Sequence, residues 1–138
     1  MLTSLPLKEI MSKKLITLHP KDKMSRVQEI FNNFSIHHIP IVVCGDLVGI
    51  ISKSDLDLIC HISRNTYDKF VQDKVLKSQS VDEYMQTEIF AMTQENTVGD
   101  AIDVFMDNQM HCLPVVKGKE IIGMVTPYDI LKFIHNLN

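Results

Sequence analysis

The chain contains few cysteines, and their positions do not indicate pairing. Only Cys44, Cys60 and Cys112 occur among 138 residues, an odd number with no short spacing between any two of them. This pattern argues against a disulfide framework and favours a reducing compartment. We therefore expect a cytoplasmic protein.

The sequence also lacks runs of like-charged residues and long apolar runs. The net charge is −3, and no run of lysine and arginine offers a basic face, which argues against a duplex nucleic-acid binder. The longest apolar runs, such as residues 39–44, are far too short to span a membrane, and the N-terminus shows no secretory signal. We expect a soluble protein with no nucleic-acid or membrane partner.

The sequence lacks the short motifs that mark common catalytic sites. A glycine-rich phosphate loop, a nucleophile elbow, a CxxC pair and an HExxH helix are all absent. Imidazoles and a thiol do recur at matched positions, but without the i, i+4 spacing of a helical zinc site; they are His37, His38, His111 and Cys112. We therefore predict that the chain is not an enzyme, and we assign neither catalytic residues nor metal ligands. An enzyme acting on a nucleotide is the less favoured alternative.

One stretch of the chain is written twice. Residues 49–56 run from an apolar segment through a hydroxyl residue to an aspartate, and residues 123–130 do the same 74 positions later. A repeat at one fixed offset indicates a duplicated supersecondary unit. Each copy is too small to be stable alone, so the two are expected to pack face to face and share a core. The residues that recur at this offset include His37, Pro40, Gly49 and Asp55, which return as His111, Pro114, Gly123 and Asp129.

Apolar periodicity predicts the order strand, helix, strand, strand, helix in each copy. In the first copy these are residues 15–18, a helix to Phe34 with Asp22 as its N-cap, a hairpin of 39–43 and 47–52, and a helix from Asp55. In the second they are residues 89–92, 98–108, 113–116, 121–126 and 129–137. Residues 63–81 are predicted to be a helical connector ending at residues 78–80.

The repeated segments resemble a known family. Residues 36–43 with 47–56, and residues 110–116 with 123–130, are similar to the cystathionine-β-synthase (CBS) motif. On this resemblance the first motif covers residues 8–62 and the second 82–136, with 63–81 as the connector. The resemblance implies one Bateman module over residues 1–138. Its fold would be α/β (α+β), with two tandem β-α-β-β-α repeats packed through their sheets with pseudo-twofold symmetry.

The resemblance also implies a regulatory function. Members typically bind an adenosine-containing ligand (AMP, ADP, ATP, NAD or S-adenosylmethionine) in clefts between the repeats and signal by conformational change. We expect such a molecule as a regulatory ligand and not as a catalytic cofactor. A homodimer formed through the helices that close each repeat is expected, as is an effector protein in trans. The alternative is a structural or interaction subunit whose clefts have decayed.

Two aspartates follow hydroxyl residues at the start of a predicted helix. Ser52-x-x-Asp55 and Thr126-x-x-Asp129 have the spacing of a capping box, which satisfies amides of the first helical turn, and Pro127 suits the first helical position. A carboxylate there could instead accept hydrogen bonds from the two hydroxyls of a ribose. The family resemblance favours the ribose assignment for Asp55 and Asp129.

The remaining candidate residues are assigned by the same resemblance. Apolar residues would form a slot for adenine, with core packing as the alternative, and His37 or His111 would face phosphate, with pH tuning the affinity. The full set is Ile16, Thr17, Ile36, His37, Ile39, Pro40, Ser52, Lys53 and Asp55 in the first repeat, and Phe90, Ala91, Met110, His111, Leu113, Pro114, Thr126, Tyr128 and Asp129 in the second.

The two expected clefts differ in charge. Lys53 follows Ser52 and could reach a phosphate, whereas the matching position in the second repeat is Pro127, with the aromatic Tyr128 beside it. The number of occupied clefts therefore stays open at this point.

Overall fold

A computed structural model describes residues 1–63, 69–108 and 110–137 of the chain. These residues form five α-helices and five β-strands, which confirms a mixed α+β fold. In chain order the elements are α1 (Met24–Asn33), β1 (His38–Val43), β2 (Asp46–Ser52), α2 (Lys53–Ser63), α3 (Lys69–Ser78), β3 (Met92–Thr93), α4 (Val98–Asn108), β4 (Leu113–Lys117), β5 (Glu120–Val125) and α5 (Pro127–Asn136). Short 3-10 helices lie at Leu2–Ser4, Leu7–Glu9 and Val81–Glu83.

β1 and β2 are neighbours in one part of the sheet, and β5, β4 and β3 are neighbours in that order in the other. β4 and β5 are antiparallel with a bulge at Val115/Val116, and β3 runs parallel to β4. The hairpin between β1 and β2 turns at Cys44 and Gly45, which have φ angles of 51° and 86°. Two successive positive φ values are those of a type I′ turn, whose twist matches that of the flanking strands. The predicted hairpin is confirmed.

The chain divides into two compact units that do not follow the linear repeat boundaries. The first unit comprises Ile16–Cys44 and Val48–Ile89, and the second comprises Met1–Leu15, Gly45–Leu47 and Phe90–Asn138. The residues at the start of each repeat, here called the leading segments (1–15 and 81–89), therefore belong to the unit that carries the core of the other repeat.

The exchanged segments are held by matching backbone contacts. In the second unit the Leu7 amide donates to the Asn96 carbonyl at 2.8 Å, and Ser12 pairs with Met124. In the first unit the Val81 amide donates to the Asp22 carbonyl at 2.8 Å, and Gln86 pairs with Ile50. Each of these residues has its counterpart 74 positions away, so the duplication extends to the exchanged segments.

Each unit has an apolar core of its own. The first is built on the buried face of α1, where Met24, Val27, Ile30 and Phe31 recur at helical spacing, together with residues of β1 and β2. The second places β4 and β5 against α4 and includes Leu7 from the exchanged segment. Leu7 and its counterpart Val81 are both fully buried. The leading segments are therefore structural parts of the cores that receive them.

The predicted first strands are shorter than expected. Of residues 15–18 only Leu18 forms a bridge, parallel to Ile41, and residues 89–92 are replaced by the two-residue strand β3. The Leu18 amide donates to the Pro40 carbonyl, and the Val42 amide donates to Leu18. The next rung would need an N–H from Pro40, which proline lacks, so the ladder stops there. Pro114 occupies the matching position in β4.

The predicted cap of the first helix is wrong. α1 begins at Met24 with Lys23 as N-cap, and Lys23 makes no side-chain cap. The Asp22 carboxylate instead accepts the His19 amide at 2.7 Å and closes the turn before the helix. The connector prediction is confirmed for α3, which ends at Ser78, while residues 64–68 lie outside the described part of the chain.

Candidate functional site

The first corner, residues Ser52–Asp55, joins β2 to α2. The Asp55 amide donates to Ser52 Oγ at 3.1 Å, while Asp55 Oδ2 accepts both the Ser52 amide and the Ser52 hydroxyl at 2.8 Å. These contacts form the predicted capping box. The Ser52 side chain accepts the backbone amide of Asp55, and the Asp55 side chain accepts the backbone amide of Ser52. The box fixes the Asp55 side chain in one rotamer.

The second corner, residues Thr126–Asp129, repeats this geometry between β5 and α5. Asp129 Oδ2 accepts the Thr126 amide at 2.9 Å and the Thr126 hydroxyl at 3.1 Å, and the Asp129 amide donates to Thr126 Oγ1 at 3.3 Å. Pro127 occupies the first turn of α5 as predicted. Both capping boxes are confirmed.

The second carboxylate oxygen differs between the corners. Asp55 Oδ1 accepts no hydrogen bond from any residue in the described part of the chain, whereas Asp129 Oδ1 accepts the hydroxyl of Ser12 at 3.4 Å. Ser12 belongs to the exchanged leading segment, and its counterpart in the first unit is Gln86. The first corner therefore leaves one half-buried carboxylate oxygen available to an external donor.

A pocket of about 280 Å³, here called the first-corner pocket, lies beside the first corner. The end of α1 and the turn into β1 form its wall, and Lys53 at the start of α2 completes it. The Lys53 amide donates to the His37 carbonyl at 2.9 Å, which joins the two sides. Three predicted residues meet here: Ile36, His37 and Lys53.

Polar residues of this pocket were missed by the sequence analysis. Asn32, Asn33 and Ser35 line it alongside Phe31 and Phe34. Amides and a hydroxyl after the apolar face of a helix are typical of a solvated helix end, so the sequence gives no signal that separates them from ordinary surface residues. The β1–β2 hairpin separates these residues from Lys53 along the sequence, and only the fold brings them together in the pocket.

Several of the expected adenine-slot residues lie in the cores. Ile39 and Leu113 are fully buried in the first and second clusters, and Pro40 and Pro114 are buried in β1 and β4. Ile39 and Leu113 thus pack in the cores, which is the alternative considered for the adenine slot. The resemblance places Pro40 and Pro114 at the cleft wall and not in that slot. Ile16, Ile36, Ala91 and Met110 are half-buried, while Thr17, His111, Phe90 and Tyr128 are exposed.

Burial and charge keep the Cys112 thiol protonated. Burial, with the negative charge of Asp129 as the smaller cause, raises the pKa of Cys112 to about 12. Metal ligation requires a thiolate, which this environment disfavours. In the described residues no group of three or more histidine, cysteine, aspartate or glutamate side chains could hold a metal ion.

None of the helices in the described ranges is long and apolar enough to cross a bilayer.

The sequence profile of the CBS domain matches residues 7–59 and 81–136. These matches cover most of the chain and coincide with the two duplicated segments whose corners carry the capping boxes. The chain belongs to the CBS domain family.

Relatives of known sequence include free-standing and larger proteins. CBS domain-containing protein MJ0729 of Methanocaldococcus jannaschii is 27% identical over 131 residues, covering 94% of both chains. Uncharacterized protein MJ1404 of the same organism is 27% identical over 133 residues, and the A-adding tRNA nucleotidyltransferase of Geobacter sulfurreducens is 22% identical over 127. The chain spans 32% of the length of MJ1404 and 13% of that of the nucleotidyltransferase.

Solved structures share the fold over almost the whole chain. AcuB of Vibrio cholerae superposes with a TM-score of 0.82 at 21% identity, covering 96% of this chain and 92% of that one. CBSX2 in complex with AMP gives 0.80 at 16% identity, covering 96% and 98%. The CBS domain pair of protein MJ0100, in complex with 5′-methylthioadenosine and S-adenosylmethionine, gives 0.75 at 24% identity, covering 96% and 98%. These likenesses establish the CBS-pair fold.

Proposed function

We propose that the chain is a regulatory module that senses an adenosine-containing ligand and has no catalytic activity of its own. The ligand class comprises AMP, ADP, ATP, NAD and S-adenosylmethionine. Binding would shift the module between two conformations, and a partner chain would respond to that shift. Of the binding free energy, only the ligand's preference for one conformation, about 1–3 kcal/mol, is available as signal.

The observation that carries this proposal is the geometry of the Asp55 carboxylate. Its Oδ2 atom is committed to the capping box, and its Oδ1 atom accepts nothing from the described residues. A carboxylate held in one rotamer with an open oxygen is pre-organised to accept hydrogen bonds from the adjacent hydroxyls of a ribose. Capping and ribose binding are therefore compatible roles of one side chain.

Structures of the same fold support the choice of ligand. CBSX2 was solved with AMP, and the MJ0100 domain pair with 5′-methylthioadenosine and S-adenosylmethionine. Adenine and a ribose that carries 2′- and 3′-hydroxyls are the portion that these three ligands share. The proposal therefore assigns the hydroxyls of this ribose to the corner aspartates and leaves the rest of the ligand to the surroundings of each corner.

The proposal includes a homodimer formed through the helices that close each repeat, as the family resemblance implies. Apolar side chains on these helices are exposed: Leu58 of α2 is 60% exposed, and Leu131 and Ile134 of α5 are 64% and 41% exposed. Leu131 and Ile134 are three positions apart and therefore lie on the same face of α5, as residues of a protein–protein contact would. Sedimentation of the wild type and the Leu131→Glu variant tests this part, which fails if the wild type sediments as a monomer.

The binding proposal is tested by calorimetry with adenosine and AMP. Asp55→Asn keeps an oxygen for the capping box but removes the charge that a ribose diol would meet, so we expect at least a tenfold loss of affinity at the first corner. Asp57→Asn is the matched control, because Asp57 is an exposed aspartate on the same helix. Equal losses in both variants would remove Asp55 from the site.

The same experiment separates the alternatives. No binding of either ligand to the wild type would favour a structural subunit. Consumption of AMP during the titration would favour an enzyme.

A further inference from the structure

The two corners differ in the chemistry that surrounds them. Among the described residues that line the first-corner pocket, the ionisable side chains are Lys53 and His37, and none is a carboxylate. Lys53 is exposed and makes no salt bridge with any residue in the described ranges. Asn32 and Asn33 add side-chain amides to the same wall. The pocket therefore offers hydrogen-bond donors and a cation that forms no salt bridge with the residues that the structure describes.

The matching positions of the second repeat carry the opposite chemistry. At the 74-residue offset, Asn33 becomes Asp107 in the last turn of α4, Asn32 becomes Met106, and Lys53 becomes Pro127. Asp107 and Met106 are both exposed. Compared with the first corner, the second corner therefore lacks the positive charge of Lys53 and has the additional negative charge of Asp107. Both corners have the aspartate of the capping box.

We propose that the first corner selects an adenosyl ligand bearing a 5′-phosphate, held by Lys53 with Asn32 and Asn33, and that the second corner selects an adenosyl ligand without an anionic 5′ group. This inference rests on the proposed function, since it assumes that Asp55 and Asp129 each hold a ribose. It adds a phosphate subsite and a rule for which ligand each corner accepts.

The distances within the first unit suit a nucleotide. Lys53 and Asp55 are two positions apart, so their Cα atoms lie within about 7 Å of each other. A ribose diol and the 5′-phosphate of the same nucleoside are separated by a comparable length. The volume of about 280 Å³ is ample for a phosphate group.

Charge decides between the two corners. A phosphate beside Lys53 gains charge-assisted hydrogen bonds, whereas a phosphate beside Asp107 meets a like charge. A difference of about 1.4 kcal/mol corresponds to tenfold in affinity. We expect at least this factor in the preference of the first corner for AMP over adenosine, and no such preference at the second.

The test measures the affinities of AMP and adenosine with one corner silenced at a time. With Asp129→Asn, which leaves the first corner, AMP should bind at least tenfold more tightly than adenosine. With Asp55→Asn, which leaves the second, AMP should bind no more tightly than adenosine. Raising the salt concentration should reduce the AMP preference of the first corner, because the exposed Lys53 is screened.

Charge-swap variants complete the design. Adding Asn33→Asp to the Asp129→Asn protein should bring the AMP preference close to one, and adding Asp107→Asn to the Asp55→Asn protein should raise it several-fold. If Asn33→Asp fails to fold, Lys53→Met in the Asp129→Asn background should likewise bring the AMP preference close to one. Thermal unfolding midpoints verify that each variant is folded. Equal AMP-to-adenosine ratios at both corners, unchanged by these substitutions, would overturn the inference. Absence of binding by both ligands would instead overturn the proposed function on which it rests.

Discussion

At the scale of single residues, the corner aspartates cap helices, and we propose that they also bind a ribose; the sequence presents these two roles as alternatives. The Ser-x-x-Asp and Thr-x-x-Asp spacings predict capping boxes, and both are present at 2.8–3.3 Å. What spacing alone does not predict is that the box uses one oxygen, Oδ2, in each corner. The other oxygen of Asp129 accepts the hydroxyl of Ser12, which lies 117 positions away along the chain, so only the fold reveals this contact.

The Cys112 thiol supplies a prediction at this scale. Because burial raises its pKa to about 12, we expect Cys112 to react with a disulfide reagent at pH 8 far more slowly than the exposed Cys44. Labelling followed by peptide mass spectrometry gives both rates. Equal labelling rates of the two thiols in the folded protein would contradict the assigned environment.

The raised pKa also has a consequence for stability. The folded thiol keeps its proton while an unfolded one loses it near the ordinary value of 9.0. The free energy of unfolding should therefore decline from about pH 9 toward pH 12, and less so in Cys112→Ala.

At the scale of elements, periodicity predicts the helices and the hairpins well and the first strands poorly. The prediction for α4, residues 98–108, coincides with the observed Val98–Asn108, because its apolar face packs into a core. Residues 15–18 and 89–92 are apolar enough for strands. Pro40 and Pro114 on the neighbouring strands interrupt the ladder because proline has no N–H to donate. The apolar pattern of each segment alone does not show that this donor is missing from its neighbour.

Two glycines allow the exchanged segments to approach the strands. A Cβ built on Gly123 would lie 2.5 Å from Met11 Sδ and 2.8 Å from its Cγ, and a Cβ on Gly49 would lie 2.9 Å from Met85 Cγ. Neither pair leaves room for a methyl group. The glycines in β2 and β5 are therefore required by close packing of a methionine from the leading segment.

Gly123→Ala should destabilise the protein by about 1–3 kcal/mol, the usual cost of overpacking. The double variant Met11→Ala/Gly123→Ala should lose less than the sum of its two single variants, because removing the methionine makes room for the new methyl group. Urea unfolding of the four proteins gives the coupling. Strict additivity would show that Met11 does not contact Gly123.

At the scale of the whole molecule, the duplication is readable in the sequence but the exchange of leading segments is not. A fixed offset of 74 residues indicates two copies. The offset would be the same if each leading segment packed in the core of its own copy, so it does not reveal the exchange. The location of Leu7 in one core and Val81 in the other decides the question. Both are fully buried, so the core of each unit includes a residue from the start of the other repeat.

The exchange predicts that substitutions act on the unit that receives the segment. Leu7→Ala should cost about 2–5 kcal/mol and reduce hydrogen-exchange protection chiefly in β4, β5 and α4. Val81→Ala should instead reduce protection chiefly in α1, β1 and β2. Loss of protection by Leu7→Ala in the first unit with the second unit unaffected would contradict the assignment.

The central claim is that a corner aspartate, oriented by its capping box, accepts hydrogen bonds from a ribose diol. The most direct test compares the affinities of AMP and 2′,3′-dideoxy-AMP for the wild type and for Asp55→Asn in an Asp129→Asn background. We predict that loss of the two hydroxyls weakens binding at least tenfold when Asp55 is present and has little further effect once it is replaced. Equal affinity of the two nucleotides for the protein that retains Asp55 would contradict the account.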